Sequence, residues 1–229
     1  MRTVGFSSEE QLVKAIVACT KTARRREYRA ELELDAGVGI ADLVLAKRSP
    51  RSTRALAALA SISPRLAVLL CDDVGSTITS QSALASSLGT SAGGARRVLS
   101  QLAAAGLAHG KPEEFAMQTV STLPFEKVIA IEAKLSEWQR VLVQAYRNLQ
   151  FADESWVVLD HACVRPAMAE IDRFREAGVG LASLDRNQPG VFIHHPASST
   201  APMSITKRWQ AQAVLAGRAV ARRPISERL

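Results

Sequence analysis

In the apolar run from Lys127 to Leu135, Glu132 and Lys134 stand two residues apart. On a strand that spacing puts a carboxylate and an ammonium on one face, while Ile131, Ala133 and Leu135 face the other way. Burying charge is costly unless it is paired or bound to a metal. Such a strand therefore either makes a cross-strand ion pair at a sheet edge or presents its charges to a ligand. A second apolar run, Ile40 to Ala46, is interrupted in its middle by Asp42. Separated from Glu132 only by what reads as an insertion, Asp42 would bring another carboxylate to the same sheet.

The elements that must position these residues follow from hydrophobic spacing. Leu12, Ile16 and Cys19 recur at helical intervals between Ser8 and Thr22, with Ser8 as N-cap before Glu9 and Glu10. From Glu27 to Asp35, Ala30, Leu32 and Leu34 alternate with Arg29, Glu31 and Glu33, which predicts a half-buried strand with the charged residues outward. Gly37 and Gly39 supply a tight connection to the strand Ile40 to Ala46, so the pair reads as an antiparallel hairpin. After the strand of Glu132, the residues Leu135, Trp138, Leu142, Ala145 and Leu149 mark an amphipathic helix. A strand from Ser155 to Asp160, a helix from Pro166 to Ala177 and strands Val179 to Leu184 and Gly190 to His194 follow, and Thr206 to Arg223 reads as a last helix. The expected fold class is α/β, a mixed sheet with helices on both faces.

In this order of elements the chain resembles the PD-(D/E)XK phosphodiesterase superfamily, the restriction-endonuclease-like nucleases. Ala41-Asp42 and Glu132-Ala133-Lys134 match its motif, with Ala41 where the family usually has proline, and residues 8–46 and 126–160 carry the resemblance. It implies a restriction-endonuclease-like core in which Asp42, Glu132 and the carbonyl of Ala133 hold Mg²⁺ or Mn²⁺ through hard oxygen ligands, while Lys134 orients the attacking water and offsets developing negative charge. Gln144 and Tyr146 resemble the polar helix residues that such nucleases place beside the scissile phosphate. A third carboxylate, which many members carry on the first helix or first strand, has Glu10 and Glu33 as candidates, with Glu9 and Glu31 beside them. The spacing does not choose among the four.

Between the two halves of this core, Arg51 to about Gly110 is rich in Ala, Leu and Ser at helical spacing. Thr79 to Leu88 and Ser91 to Ala105 flank a Gly89-Thr-Ser turn, and Leu84, Leu88, Val98 and Leu102 are spaced to pack the two helices together. The run into Gly106 and Lys111 resembles a winged-helix recognition helix entering its wing, about Leu107 to Val120. Ser91, Arg96, Arg97 and Lys111 then fall where base-edge or phosphate contacts are made. A helical protein-interaction module with arginines on its solvated face is the competing reading. The expected organisation is core residues 1–48 and 123–205, an inserted winged-helix-like domain at 49–122, and a basic C-terminal helix or tail at 206–229.

Composition fits these assignments. The 229 residues carry 29 Lys plus Arg against 22 Asp plus Glu. The excess sits in residues 47–111, with eight basic and two acidic side chains, and in 206–229, with six and one, which leaves the remaining body acidic. Basic appendages on an acid-rich body suit a polyanion gripped at the edges of a site that needs carboxylates. Cys19, Cys71 and Cys163 form no paired spacing, and Met1 to Gln11 contain no apolar signal core, so a reducing cytoplasm is expected. No apolar stretch is long enough to span a bilayer. His194-His195, His161 with Cys163, and Trp138, Trp156 and Trp209 read as packing residues. The sequence thus points to a metal-dependent DNA endonuclease of genome defence, mobile-element biology or repair, working as a homodimer where it cuts both strands. A DNA-binding regulator or scaffold with an inactive nuclease-like core is the alternative, followed by a partner-binding subunit.

Overall fold

The computed structural model describes residues 5–22, 27–188 and 190–221. Along the chain these form α1 (Glu9–Thr22), β1 (Tyr28–Asp35), β2 (Ile40–Arg48), α2 (Thr53–Ala60), a 3-10 segment (Pro64–Leu70), α3 (Asp72–Gly75), α4 (Gln81–Leu88), α5 (Ala92–Ala104), β3 (Ala108–Lys111), β4 (Glu114–Met117), β5 (Phe125–Lys134), α6 (Trp138–Asn148), β6 (Glu154–Asp160), a 3-10 turn (His161–Cys163), α7 (Arg165–Ala169), α8 (Ile171–Ala177), β7 (Gly180–Leu184), β8 (Val191–His195) and α9 (Ile205–Ala221). Two compact units result: Met1–Arg48 with Phe125–Arg208, and Ser49–Pro124 with Trp209–Leu229. The first boundary falls at Arg48, the second at Pro124 rather than at residue 122, and the C-terminal helix from Trp209 onward groups with the insert instead of standing apart. The basic residues Arg222, Arg223 and Arg228 of the expected tail lie outside the described residues.

The first unit is a mixed α/β layer structure around a six-stranded sheet of order β1-β2-β5-β6-β7-β8. The strand pairs β1/β2, β2/β5 and β7/β8 are antiparallel, whereas β5/β6 and β6/β7 are parallel. Alternation of side chains divides its core. Leu43, Leu45, Ile129, Ile131, Ala133, Val158, Ala182 and Leu184 pack with Leu12 and Ile16 of α1 on one face. Val157, Leu159 and Leu181 pack with Val141 and Ala145 of α6, Leu149 at its C-cap and Phe174 of α8 on the other. Ser8 caps α1 by accepting the Gln11 N–H at 3.3 Å. Gly180 has a packing reason to be glycine, because a Cβ there would stand 2.3 Å from Cε3 of Trp156.

Three expectations need correction. The helix expected from Pro166 to Ala177 is broken into α7 and α8 at Glu170, whose φ of −113° and ψ of 31° leave the helical region. In β1 the side-chain pattern is inverted at its centre: Glu31 is fully buried and paired with Arg29, whereas Leu32 is 49% exposed. β1 is an edge strand, so its apolar face is covered only in part. Finally, Glu33 adopts a left-handed φ of 50°, which removes one pair from the ladder between Leu32↔Leu43 and Leu34↔Ala41.

In the second unit, α4 and α5 meet across a tight turn. Ser80 and Ser91 cap the two helices, accepting the N–H of Ala83 at 3.3 Å and of Gly94 at 3.2 Å, and Gly89 ends α4 with a φ of 57°. Leu84 and Leu102 are fully buried, while Leu88 and Val98 are half-buried. A Cβ at Gly94 would lie 2.2 Å from Oγ1 of Thr90, so glycine there lets the Thr90 side chain pack against α5 without a shift. The β3–β4 hairpin follows, tied to the start of α4 by Phe115 N–H to Thr79 O at 2.9 Å and Gln81 N–H to Pro112 O at 2.8 Å.

Candidate functional site

Asp42, Glu132 and Lys134 come together at one end of the six-stranded sheet, where β2 begins and the parallel strand β5 ends. Register explains why. The β2/β5 ladder runs through Leu43↔Ile131, and the next amide along β5, Ala133 N–H, donates instead to Asp42 Oδ2 at 2.9 Å. The same oxygen lies 3.4 Å from Lys134 Nζ. Lys134 also donates to Glu9 Oε2 at 2.8 Å, so its ammonium is held between a carboxylate of β2 and one from the first turn of α1. Burial alone would lower the pKa of Lys134, but the hydrogen bond to Glu9 and the charges of Asp42 and Glu9 outweigh it and hold the group above its ordinary value.

Glu132 is 2% exposed. Its Oε1 accepts a hydrogen bond from Asn148 Nδ2 of α6 at 2.7 Å, and its Oε2 is buried with no hydrogen-bond partner among the described residues. Burial pushes its pKa up to about 7; the Asn148 bond pulls it down, the neighbouring Asp42 raises it again, and Lys134 lowers it. Gln144 is half-buried on the same helix, and its Oε1 is also buried without a partner among the described residues. Tyr146 is 47% exposed on the outer side of α6.

The third carboxylate that the structure brings to the cluster is Glu9. The other candidates are elsewhere: Glu10 is exposed and paired with Lys14 one turn along α1 at 2.6 Å, and Glu33 is exposed at the irregular position of the edge strand. Glu31 is buried against Arg29. The placement of Glu9 depends on how the chain enters α1. Phe6 N–H donates to Asp160 Oδ2 at 2.6 Å, and the other Asp160 oxygen takes Ala162 N–H at 3.0 Å, so the end of β6 anchors the segment that leads to Glu9.

Asn148 was not singled out from the sequence, although a signal was present. It falls on the row Val141, Ala145, Asn148 of the amphipathic helix, where the periodicity demands an apolar residue. A second polar cluster joins strands: the buried Ser183 hydroxyl lies 2.8 Å from His161 Nδ1 and 2.7 Å from His194 Nε2. Burial, and then the nearby His161, lower the pKa of His194. This cluster ties β8 to β7 and the end of β6.

In the insert, Arg96 and Arg97 are exposed on α5. Ser91 is the N-cap of that helix, so its hydroxyl oxygen serves the Gly94 amide. Lys111 is exposed at the end of β3 and faces Glu114 across the hairpin, with Glu113 in the turn. Bounding the unit at Pro124 includes both glutamates, and residues 49–124 then carry six basic and four acidic side chains. The positive character therefore rests on the arginines of α5 more than on the hairpin.

Arranged in this way, Asp42 and Glu132 are the residues that could offer carboxylate oxygens to a hard divalent cation. The buried, unpartnered Glu132 Oε2 is the observation that fits such an ion, since an acceptor left without a donor in the interior is costly unless a cation or proton meets it. Among the described residues no group of three or more His, Cys, Asp or Glu side chains has metal-binding geometry. The fit is thus to a cation that takes two carboxylates and completes its shell with carbonyl, water and phosphate oxygens, as Mg²⁺ commonly does. No helix among the described residues is long and apolar enough to cross a membrane. No protein-family model, no curated protein and no solved structure matches this chain.

Proposed function

We propose that the chain is a metal-dependent nuclease that hydrolyses DNA phosphodiester bonds, with a restriction-endonuclease-like core and an inserted winged-helix module that positions the DNA. The convergence of Asp42, Glu132 and Lys134 at one sheet end, with Glu132 Oε2 buried and unpartnered, carries this reading. The core elements also run in the order helix, two-stranded hairpin, third strand, helix, strand, which is the order of the family that the sequence resembles. Helix, turn, helix and hairpin in the insert suit a winged helix.

In this reading Asp42, Glu132 and the carbonyl of Ala133 would hold Mg²⁺ or Mn²⁺. Such an ion, when bound, supplies Lewis-acid polarisation of a phosphoryl oxygen and a lowered pKa for water. Lys134, kept cationic by Glu9 and Asp42, stands where it orients the attacking water and offsets the negative charge that develops on the phosphate. Asp42 in turn is fixed by the Ala133 amide, so the carboxylate and the lysine share one frame. Arg96 and Arg97 would engage phosphates or base edges. Cutting both strands of a duplex needs two such sites, which makes a homodimer the expected form for that activity.

The test is cleavage of supercoiled plasmid, linear duplex and single-stranded DNA by the wild type and by Lys134→Ala, in Mg²⁺, in Mn²⁺ and in chelator. Metal-dependent cleavage by the wild type, reduced at least a hundredfold in the variant, is the expected result. Equal cleavage by both proteins refutes the role of Lys134. DNA binding with a steep salt slope and no cleavage by either protein replaces the reading with that of a DNA-binding regulator or scaffold.

A further inference from the structure

Among the residues of α6 that turn inward, Val141 and Ala145 are apolar and Asn148 is an amide with 2% exposure. A leucine would suit that row, and an amide there is costly unless its polar atoms are engaged. Its Nδ2 meets one oxygen of Glu132, Oε1, at 2.7 Å. A glutamate carboxylate turns easily about its last torsion. A single buried hydrogen bond to Oε1 removes that freedom and determines which oxygen is left for a ligand. The oxygen left over is Oε2, buried and without a hydrogen-bond partner among the described residues.

We infer that Asn148 is a positioning residue: it holds Glu132 by Oε1 so that Oε2 is presented, together with Asp42, to a divalent cation. The inference rests on the reading of Asp42 and Glu132 given above. Gln144, the helix residue that the resemblance suggests, does not do this job. It lies four residues, about 6 Å, earlier on α6, and its own Oε1 has no partner among the described residues. The two amides thus divide the helix face between them: Asn148 spends its donor on the glutamate, and Gln144 keeps a buried acceptor one turn away.

Calorimetric titration of Mn²⁺ into the full-length, metal-free protein tests this without relying on activity. Asn148→Leu should weaken Mn²⁺ binding about 10- to 100-fold, the usual effect of losing a group that orients a metal ligand. Val141→Ala perturbs the same buried row without touching Glu132, and its affinity should stay within about twofold of the wild type. In a Glu132→Gln background, adding Asn148→Leu should cause no further loss, because the residue acts through that carboxylate. If Asn148→Leu fails to fold, Asn148→Ser, too short to reach Glu132, takes its place with the same expectation. Wild-type affinity in the folded Asn148 variant overturns the inference alone, as does an equal loss in Val141→Ala. Absence of Mn²⁺ binding by the wild type overturns both the inference and the metal-dependent reading beneath it.

Discussion

Replacing Glu132 by Gln should stabilise the metal-free protein, and only above mildly acidic pH. The carboxyl is raised from an ordinary 4.5 to about 7 in the folded chain. Between those values the folded protein keeps a proton that the unfolded chain has released, so stability falls as pH rises through this window. At 1.36 kcal/mol per pKa unit, the ionised glutamate makes the protein about 3 kcal/mol less stable at pH 8 than at pH 4. Gln has nearly the same volume and its Oε1 can still accept the Asn148 hydrogen bond, but it does not titrate. Glu132→Gln should therefore match the wild type near pH 4 and exceed it by about 3 kcal/mol at pH 8, or about 6–12 °C in Tm. Urea unfolding of both proteins in chelator at pH 4, 6 and 8 measures the difference directly. A gain that does not change with pH, or a variant less stable than the wild type at pH 8, refutes the assignment of a strained buried carboxylate. Excess Mg²⁺ should then narrow the gap, since a ligand at a hundredfold excess over its Kd adds about 2.7 kcal/mol to the protein that binds it.

Binding of Mn²⁺ to the wild type should release about half a proton at pH 7 and close to none at pH 8.5, because the cation takes the place of the Glu132 proton; titrations in buffers of different ionisation enthalpy count it, and a release independent of pH contradicts the site. Arg208 is a buried cation whose Nη2 lies 2.9 Å from Asp153 Oδ2 and whose Nη1 donates to Phe151 O at 3.1 Å, the side chains being 8% and 15% exposed. Arg208→Ala leaves Asp153 buried without that partner and should cost about 3–5 kcal/mol in urea unfolding; a loss under about 1 kcal/mol would show the pair to be solvated. Arg96→Ala with Arg97→Ala should weaken duplex binding and lower the salt slope by about 2 while changing stability by less than about 1 kcal/mol. Fluorescence anisotropy from 50 to 200 mM salt gives the slope, and an unchanged slope removes α5 from the DNA interface.

The three central residues were legible because each depends on a short-range rule. Alternation on a strand puts Glu132 and Lys134 on one face whatever the rest of the chain does, and an acid in the middle of an apolar strand marks Asp42 in the same way. Residues whose place depends on contacts distant in sequence were not legible. Glu9 reaches Lys134 because the segment before α1 is pinned to Asp160, 154 residues from Phe6, and no local pattern separates Glu9 from Glu10. Helical spacing from Val141 and Ala145 could have put Asn148 on an inward row, but an amide near a helix end reads as solvated until the partner on β5 is known. The break at Glu170 and the inversion of Glu31 and Leu32 share this character. Helical spacing continues across the break, and strand alternation across the inversion, so only tertiary packing reveals them.

Charge counting ties the geometry to the chemistry. Glu9, Asp42 and an ionised Glu132 carry three negative charges against the single positive charge of Lys134. That leaves an excess of two, and of the four groups Glu132 is the most deeply buried. A proton on Glu132 removes half of the excess, and burial first, then the neighbouring Asp42, favour that proton by raising the pKa to about 7 in the metal-free protein. A divalent cation would remove all of it and would meet Glu132 Oε2, which is buried without a donor among the described residues. Lys134 cannot perform that neutralisation, because its ammonium is already shared between Glu9 and Asp42. The same sharing keeps the ammonium protonated and fixed at the end of β5, where a phosphate approaching Asp42 and Glu132 would meet positive charge instead of carboxylates alone.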